Sequence, residues 1–523
     1  MAGIFINSDA WNFWLAGPET MTVEGLRKDV DFYTARGGVE AVFYNLNFQR
    51  ALFDSQVFTP IWKDCTVDAD GHLLLRGKPT DDNYRRLVQN PQVLLKNVPD
   101  FMRVRYEACR ERGVEMWHSM RMNDVHYTPM QTEHLPQHGD LWVQRKDLIR
   151  AWYRHTWRGD WHDNAFDYAQ PEVYDYHLAL AREYLLDHES DGLELDWLRS
   201  IPVFRPGHDE RNAAILTRFL RDTRRLADEA AAKWGHRIRL AVRVPYLFTE
   251  AVATGMDVCA WAREGLVDVV IPSPNNTNSE NDIHLHLWKR LLPAGTILAP
   301  CIDCNMGAGP GGPFLNMSAE TDHGFAATYY HGGADTVYFY NHFPRNRFDG
   351  VQELFGYAGD RAAVERRARR HVVTRHDDVA EGSYSGSRFP WIIWKGCCNG
   401  SIRVDAGGAT AGRRARVIVG ARSPLDVDLL LNTVPCAPAP DEPLPPLVTE
   451  KMHYVQFRVP EGALHDGINA IELYNRSSER DITDLAWAEI RIDAQSCEGE
   501  RSDTSRSTDR NQPMCQLQVA RDL

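Results

Sequence analysis

The chain has 523 residues, more than one hydrophobic core usually serves, so two domains are expected. Hydrophobic residues at 43% and charged residues at 25% are ordinary for a globular protein, and a net charge of -13 argues against a nucleic-acid partner or an anionic membrane surface. No apolar run approaches the roughly 20 residues of a membrane helix. The N-terminus, "MAGIFINSDAWNFW", has no basic segment leading into an apolar stretch, so a cytoplasmic location is expected, or a periplasmic or secreted one if a signal was trimmed. The ten cysteines are scattered, and Cys301-x-x-Cys304 lacks the second pair a zinc site needs; they are read as reduced packing residues.

In chain order, Gly3 to Trp11 reads as an apolar strand that breaks into polar residues, and Thr22 to Gly37 as a helix closed by a Gly pair. Ala41 to Phe48 is a second strand, ending in Asn45 and Asn47. The Asp-Gly of "VDADGHLLLR" marks a hairpin. A helix from about Pro99 to Arg112 leads into the third strand, "VEMWHSMRMND", which carries Trp117 and His118 and ends in Arg121, Asn123 and Asp124. From Asp124 to about Ala169 runs an irregular excursion with His126, Tyr127, His134, His138, Trp142, Trp152, Trp157, Trp161 and His162. Loops this long in a compact domain are usually functional. Aromatic faces at a cleft suit the C–H faces of sugars or nucleic-acid bases, while other members of the set fill a small core under the loop.

A helix from Pro171 to His188 delivers the chain to "DHESDGLELDWLR", read as a helix end, an Asp-Gly turn and a short strand. Strand residues alternate faces, so Gly192, Glu194 and Asp196 share one side and Leu193, Leu195 and Trp197 the other. Two carboxylates on one face of an otherwise apolar strand resist burial unless solvent, a cation or a substrate lies beyond them. A single carboxylate there would read more plainly as a helix cap or as the partner of Arg121, Arg199 or Arg205; the pair points to a site. A long helix from about Asp209 to Trp234 follows, then "RIRLAVRVP" with Arg239 and Arg243 on one face. Next come "VDVVIPSP" with Asn275 and Asn276 beyond it, "TILAPCIDC" ending at Asp303, and "DTVYFYNHF" ending in Asn341 and His342. A last helix spans about Val351 to Arg370.

Eight strands alternating with helices predict a parallel sheet, and the (β/α)8 TIM barrel fits eight such units better than a doubly wound sheet because nearly every strand ends in polar groups. No Gly-x-Gly-x-x-Gly follows strand one and no phosphate loop appears, so no nucleotide cofactor is expected. From about Asp377 short strands recur without helices, which predicts a smaller all-β, jelly-roll-like sandwich. The expected division is 1–375 for the barrel, 376–494 for the sandwich and 495–523 for a polar tail whose composition predicts disorder. Sandwich-to-sandwich homo-oligomerisation is compatible with this pattern.

The motif "DGLELDW" at the fourth strand of an eight-unit barrel, with an aromatic-rich loop before it and a sandwich after it, resembles the bacterial glycoside-hydrolase-like barrel proteins described as glycosyl hydrolase family 10-like. "VPEGALHDGINAIELYN" resembles the end of the jelly-roll modules appended to glycosidases. Family 18 chitinases carry a similar acidic strand, but the position of their catalytic Glu is Leu198 in this chain. Alpha-galactosidase-like barrels end strand four with an Asp nucleophile, which Asp196 matches, and clan A glycosidases place a second carboxylate at the end of strand seven, where this chain has Asp303. The resemblance implies a hydrolase acting on glycosidic bonds of a carbohydrate substrate, without cofactor or metal. Such cleavage needs one protonated and one ionised carboxyl group. Asp196 and Asp303 are the expected opposed pair, with Glu194 one layer deeper or exchanging roles with Asp196. An Arg approaching one carboxylate, Arg121 or Arg243, would keep that one ionised. Asn45, Asn47, Trp117, His118, Arg121, Asp124, Arg243, Asn275, Asn341 and His342 are the expected substrate-binding set, with Trp11 a further platform. The arginines Arg103, Arg105, Arg121, Arg239 and Arg243 could form a local basic pocket for an acidic sugar.

Two other chemistries remain open. His118, His126, His134 and His138 with Asp124 could ligate a metal for a hydrolase or isomerase acting on a sugar, although their spacing matches no tight ligand motif. A carbohydrate-binding barrel without catalysis is the other.

Overall fold

The structure is a computed structural model that describes residues 3–9, 11–126, 135–151, 164–205, 207–274, 279–307, 314–343, 350–374, 389, 391–397, 400–444, 452–478 and 481–495. The expected positions Tyr127, His134, Trp152, Trp157, Trp161, His162, Asn275 and Asn276, and nearly all of the tail, lie outside the described residues. No helix among those described is long and apolar enough to cross a membrane.

Nine strands form one all-parallel sheet: β1 (Ile4–Ser8), β2 (Val39–Asn45), β3 (Glu115–Arg121), β4 (Gly192–Asp196), β5 (Arg239–Pro245), β6 (Val269–Ser273), β7 (Ile297–Leu298), β8 (Cys301–Asp303) and β9 (Tyr338–Tyr340). Their order is β7-β6-β5-β4-β3-β2-β1-β9-β8. Helices separate them in sequence, among them α1 (Val23–Thr34), α2 (Phe101–Glu111), α3 (Pro171–Asp187), α4 (Asp209–Trp234), α5 (Leu285–Leu291) and α6 (Ala319–His331). Local rules set several boundaries. Thr22 caps α1 by accepting the Gly25 amide at 3.1 Å, and Asp100 does the same for Arg103 in α2.

The two edge strands of this sheet, β7 and β8, are successive parts of the stretch expected as one strand, interrupted at Ala299 and Pro300. Proline has no N–H to give a ladder. Its carbonyl accepts from Tyr338, and the Ala299 amide still donates to Val270, both at 3.0 Å. One face of the sheet buries Phe5, Ala41, Phe43, Trp117, Ala241, Val269, Ile271, Ala299, Cys301, Tyr338 and Tyr340 against each other. The other face, with Leu193, Leu195, Leu240, Val242 and Phe339, joins the large core beneath the helices. Gly192, expected in a turn, is the first residue of β4. A Cβ there would stand 2.5 Å from the Trp117 ring, which is stacked on Phe43 at 4.7 Å.

Beyond the parallel sheet, two antiparallel sheets share a hydrophobic core. One joins β10 (Arg369–Val373), β17 (Ile482–Ile492), β13 (Ala415–Ala421) and β15 (His453–Arg458), with β11 (Trp391–Trp394) also on β17. The other joins β12 (Ser401–Asp405), β16 (Ile468–Asn475) and β14 (Val427–Leu431). Val373, Ile393, Val404, Val417, Leu429, Leu473 and Ile490 are part of the core between them.

The expected helix from Val351 to Arg370 is corrected here. Helical segments cover Val351–Tyr357 and Arg361–Glu365, and the chain then becomes β10. The physical reason is tertiary: Arg370 lies opposite Arg491 and reaches buried Glu489 at 2.7 Å, a pairing a helix could not make. β10 therefore lies within the expected barrel boundary yet belongs to the sandwich sheet.

Helix α6 packs on β10 so closely that a Cβ on Gly324 would lie 1.9 Å from the Arg370 carbonyl oxygen. Thr328 on the same helix meets His371 at 3.1 Å, and Asn281 exchanges hydrogen bonds with the Asp405 backbone at 2.8 and 3.1 Å. These contacts tie helices of the parallel sheet to the antiparallel sheets. Gly324→Ala is expected to destabilise the protein by roughly 1–3 kcal/mol through overpacking at this junction, read from the urea midpoint. A midpoint equal to wild type would show that the helix and strand can separate freely.

Candidate active site

Alternation along β4 turns Glu194 and Asp196 into the face shared with Trp117 and Tyr338, and turns Leu193 and Leu195 outward. Register then fixes their neighbours. Asp196 lies opposite Arg121 on β3 and Arg243 on β5, while Glu194 lies opposite Ser119 and Ala241. All four charged residues are at most 2% exposed.

Arg243 is the counter-charge of Asp196. Its Nη1 stands 3.1 and 3.0 Å from the two carboxylate oxygens, its Nε donates to Ser273 Oγ at 3.1 Å, and its guanidinium lies 3.9 Å from the centre of the Tyr340 ring. The Leu198 amide adds a bond to Asp196 Oδ1 at 3.1 Å. Asp196 is thus held by opposite charge and a backbone donor in a site closed to water.

The other two carboxyls have different surroundings. Glu194 accepts from the Tyr338 hydroxyl at 2.8 Å through Oε1, and its Oε2 has no partner. Burial, with repulsion from Asp196, pushes its carboxyl up to about 7. Asp303 ends β8 opposite Tyr340 and is 1% exposed. Burial pushes it up to about 7 against the pull of Arg243 and of Cys304 and the Asn305 amide beside it. One carboxyl with a guanidinium and two without is the asymmetry that acid–base chemistry on a carboxyl set requires.

Arg121 serves a separate network. It bridges Asp9 at 2.5 Å and Asp124 at 3.0 Å, and Asp124 also accepts from His126 Nδ1 at 2.5 Å. Arg199 Nη2 lies 2.8 Å from His126 Nε2. A guanidinium can only donate, so Nε2 accepts and the imidazole proton sits on Nδ1, toward Asp124. Burial resists ionisation of Asp124, but His126, Arg121 and Arg199 together hold its carboxyl well below the usual range.

The remaining expected residues divide. Asn45 is at the site: its Nδ2 donates to the Ser119 carbonyl at 3.0 Å and its Oδ1 is left without a partner. Asn341, in a left-handed conformation with φ 59°, ends β9 with its Oδ1 unpartnered. Asn47 is spent on structure, since its amide clamps the Arg121 backbone at 3.0 and 3.2 Å. Trp117 lies four residues below Arg121, fully buried in the sheet-face core, where no sugar face can reach it. His118 points to the helix side, stacked on Tyr184 at 5.1 Å, and burial pushes it down to about 3. His342 also leaves the site, buried between Asp322 at 3.3 Å and the Phe339 ring. Trp11 packs edge-on against Phe48 and Tyr84, and Trp197 packs against Tyr168 and Phe219 in the core.

Of the loop histidines among the described residues, the His126 ring serves Asp124, and His138 meets the His126 carbonyl through Nε2 at 2.9 Å and packs on Trp142. Among the described residues no group of three or more His, Cys, Asp or Glu could hold a metal ion. Sequence reasoning passed over Asp9, Ser119, Tyr338 and Tyr340. The alternation in "VYFYN" would have placed both tyrosines on one face, and Asp9 stands at a strand end like the residues that were singled out.

No protein-family model and no curated protein matches the sequence. Solved structures similar to this chain include alpha-L-fucosidase isoenzyme 2 from Paenibacillus thiaminolyticus, at TM-score 0.40 and 11% identity, covering 71% of this chain and 51% of that one. The chitinase ChiW from Paenibacillus sp. str. FPU-7 gives TM-score 0.39 at 10% identity over 90% of this chain and 52% of that one. TtGalA, an alpha-galactosidase from Thermus thermophilus, gives TM-score 0.34 at 16% identity, covering 68% and 65%. The chain spans about half the length of the first two.

The raised carboxyls couple folding to pH. Glu194 and Asp303 hold their protons in the folded state up to about 7, whereas in the unfolded chain they lose them near their ordinary values. The folded state therefore binds more protons between roughly pH 4.5 and 7, and stability falls as pH rises through that window. Asp303→Asn is expected to remove part of this slope and to be more stable than wild type at about pH 8, by at least about 2 kcal/mol. Urea midpoints at about pH 5 and pH 8 measure it; equal slopes in both proteins would refute the raised carboxyl.

Proposed function

We propose that this chain is a glycoside hydrolase that cleaves a glycosidic bond in an oligo- or polysaccharide, using Asp196 and Asp303 at the mouth of a closed (β/α)8 barrel. Support for closure comes from the two sheet edges, which are successive parts of one stretch joined through Ala299 and Pro300. The observation that carries the function is the unequal treatment of the two carboxyls. Asp196 has a buried guanidinium against both oxygens, while Asp303 has none of its own and keeps its proton to about 7.

In this mechanism Asp303 donates its proton to the glycosidic oxygen as the bond to the anomeric carbon breaks. Asp196, with Arg243 balancing its charge, either attacks that carbon or takes a proton from the attacking water. Arg243 also fixes where Asp196 can point, because its Ser273 bond and its stacking on Tyr340 leave it one orientation. Glu194 lies beneath, bound to Tyr338, and orients a substrate hydroxyl or Asp196 itself.

A panel of aryl glycosides and natural oligosaccharides, with product stereochemistry followed by NMR, tests the proposal. Asp196→Asn and Asp303→Asn are each expected to lower kcat/KM by about a thousandfold or more on any substrate the wild type turns over. Wild-type turnover is expected to fall as pH rises through about 7, where Asp303 loses its proton, and Asp303→Asn is expected to lack that limb. Undiminished turnover by Asp196→Asn would refute the placement of the site. Sugar binding by the wild type without turnover would instead identify a carbohydrate-binding barrel.

A further inference from the structure

We propose that the barrel mouth is built for ligands that donate hydrogen bonds, and that it takes an uncharged, hydroxyl-rich sugar unit and rejects uronates and sulfated sugars; this rests on the glycosidase proposal above. Two independent observations carry it.

The first is the fate of the arginines. The sequence offered five for a basic pocket, and the structure gives each a carboxylate. Arg103 pairs with Glu107 and Glu189, Arg105 with Asp29, and Arg239 with Glu115. At the mouth, Arg121 is divided between Asp9 and Asp124, and Arg243 is bound to Asp196. Arg199 stands 3.9 Å from Asp124 and is hydrogen-bonded to His126. Among the described residues at this mouth, every guanidinium already has a carboxylate partner, and what stays open is the Nε of Arg121.

The second is the hydrogen-bonding capacity that remains. Among the described residues, Asn45 Oδ1 and Asn341 Oδ1 have no partner, in residues only 3% and 8% exposed, and the buried Asp303 carboxyl is met only by Cys304 and the Asn305 amide beside it. The orientation of the Asn45 amide is fixed, because its Nδ2 must donate to the Ser119 carbonyl and so its oxygen faces away. Glu194 Oε2 and Asn7 Oδ1 lie on the same sheet face below and are also unpartnered. Arg121 Nε is the donor left unmatched on this face. Such a lining leaves buried acceptors unsatisfied until a ligand brings donors, and each such vacancy costs roughly 1–3 kcal/mol. Sugar hydroxyls supply them. Above about pH 7, where Asp303 and Glu194 have released their protons, a carboxylate or sulfate would bring acceptors and negative charge against Asn45, Asp303 and Glu194, an arrangement that rejects by repulsion as well as by lost bonds.

The test uses the full-length wild-type protein, in which Arg243 keeps its Asp196 partner, and matched methyl S-glycosides, which are bound and not consumed: glucoside, galactoside and mannoside against glucuronide and galacturonide. Affinities are measured by ligand-observed saturation-transfer NMR at about pH 7.5. At least one neutral glycoside is expected to bind, with its uronide weaker by about tenfold or more. Because Asn45 also ties β2 to β3, two further variants are compared in the same background. Asn45→Asp keeps an acceptor and loses the amide donor, and is expected to retain neutral binding that Asn45→Leu loses, with both melting cooperatively. Uronides binding as tightly as neutral glycosides, equal loss in the two Asn45 variants, or no binding by any glycoside would overturn the inference. Wild-type turnover confined to uronides would overturn it and leave the hydrolase standing. Neutral binding with no wild-type turnover of any glycoside would overturn the hydrolase and leave this inference standing.

Discussion

The structure of the site depends on one buried ion pair, Asp196 with Arg243. Both residues are at most 2% exposed, above a layer that holds Glu194 and Ser119 and an apolar core beneath it. Removing two charges from water costs several kcal/mol each, and the return comes only where geometry is good and every remaining donor is satisfied. Asp196 receives Nη1 on both oxygens and the Leu198 amide, and Arg243 adds Ser273 and the Tyr340 ring. The pair is positioned by parallel register, since Asp196 and Arg243 are direct partners on β4 and β5. A slip of one residue would turn both charges into the helix-side core.

That constraint organises the rest of the sheet face. Toward the start of the strands it is filled by Phe5, Ala41, Phe43, Trp117, Val269 and Ala299, and Gly192 is small because the Trp117 ring occupies its side-chain space. Toward the ends the same alternation delivers Asn45, Arg121, Asp196, Arg243 and Asp303. Arg121 is kept from Asp196 by its own acidic partners, Asp9 and Asp124, so the two guanidiniums do not compete for one carboxylate. Asp303 is left with burial as the dominant influence, and its proton affinity follows. The unequal carboxyls are thus a result of how four arginine–carboxylate contacts are shared out.

The antiparallel sheets are joined to the helices of the parallel sheet by a polar and sterically tight junction. Arg370 and Glu489 are a second buried ion pair, this one within an antiparallel sheet, and Gly324 lets α6 approach β10 to within backbone contact. The connection is short in sequence, and β10 follows the last helical segment and enters the antiparallel sheet directly. Asn281 and Thr328 hydrogen-bond the Asp405 backbone, and helix α6, which carries Thr328, also packs on β8.

The sequence by itself determined the alternation of strands and helices, the polar ends of the strands, and the inward placement of Glu194 and Asp196, because periodicity and turn residues are local properties. It also determined that short strands without helices follow the strand–helix units. Tertiary structure decided what periodicity cannot carry. It broke the stretch ending at Asp303 at Pro300, and it made a strand of Arg369–Val373, which reads as helix until Glu489 is known to face it. Trp117, His118, Asn47 and His342 are chemically suited to a site, but depth along a strand and the side it faces removed them from the mouth. Most of all, which arginine meets which carboxylate is a matter of distance between strands far apart in sequence, and on that pairing the charge of every group at the mouth depends.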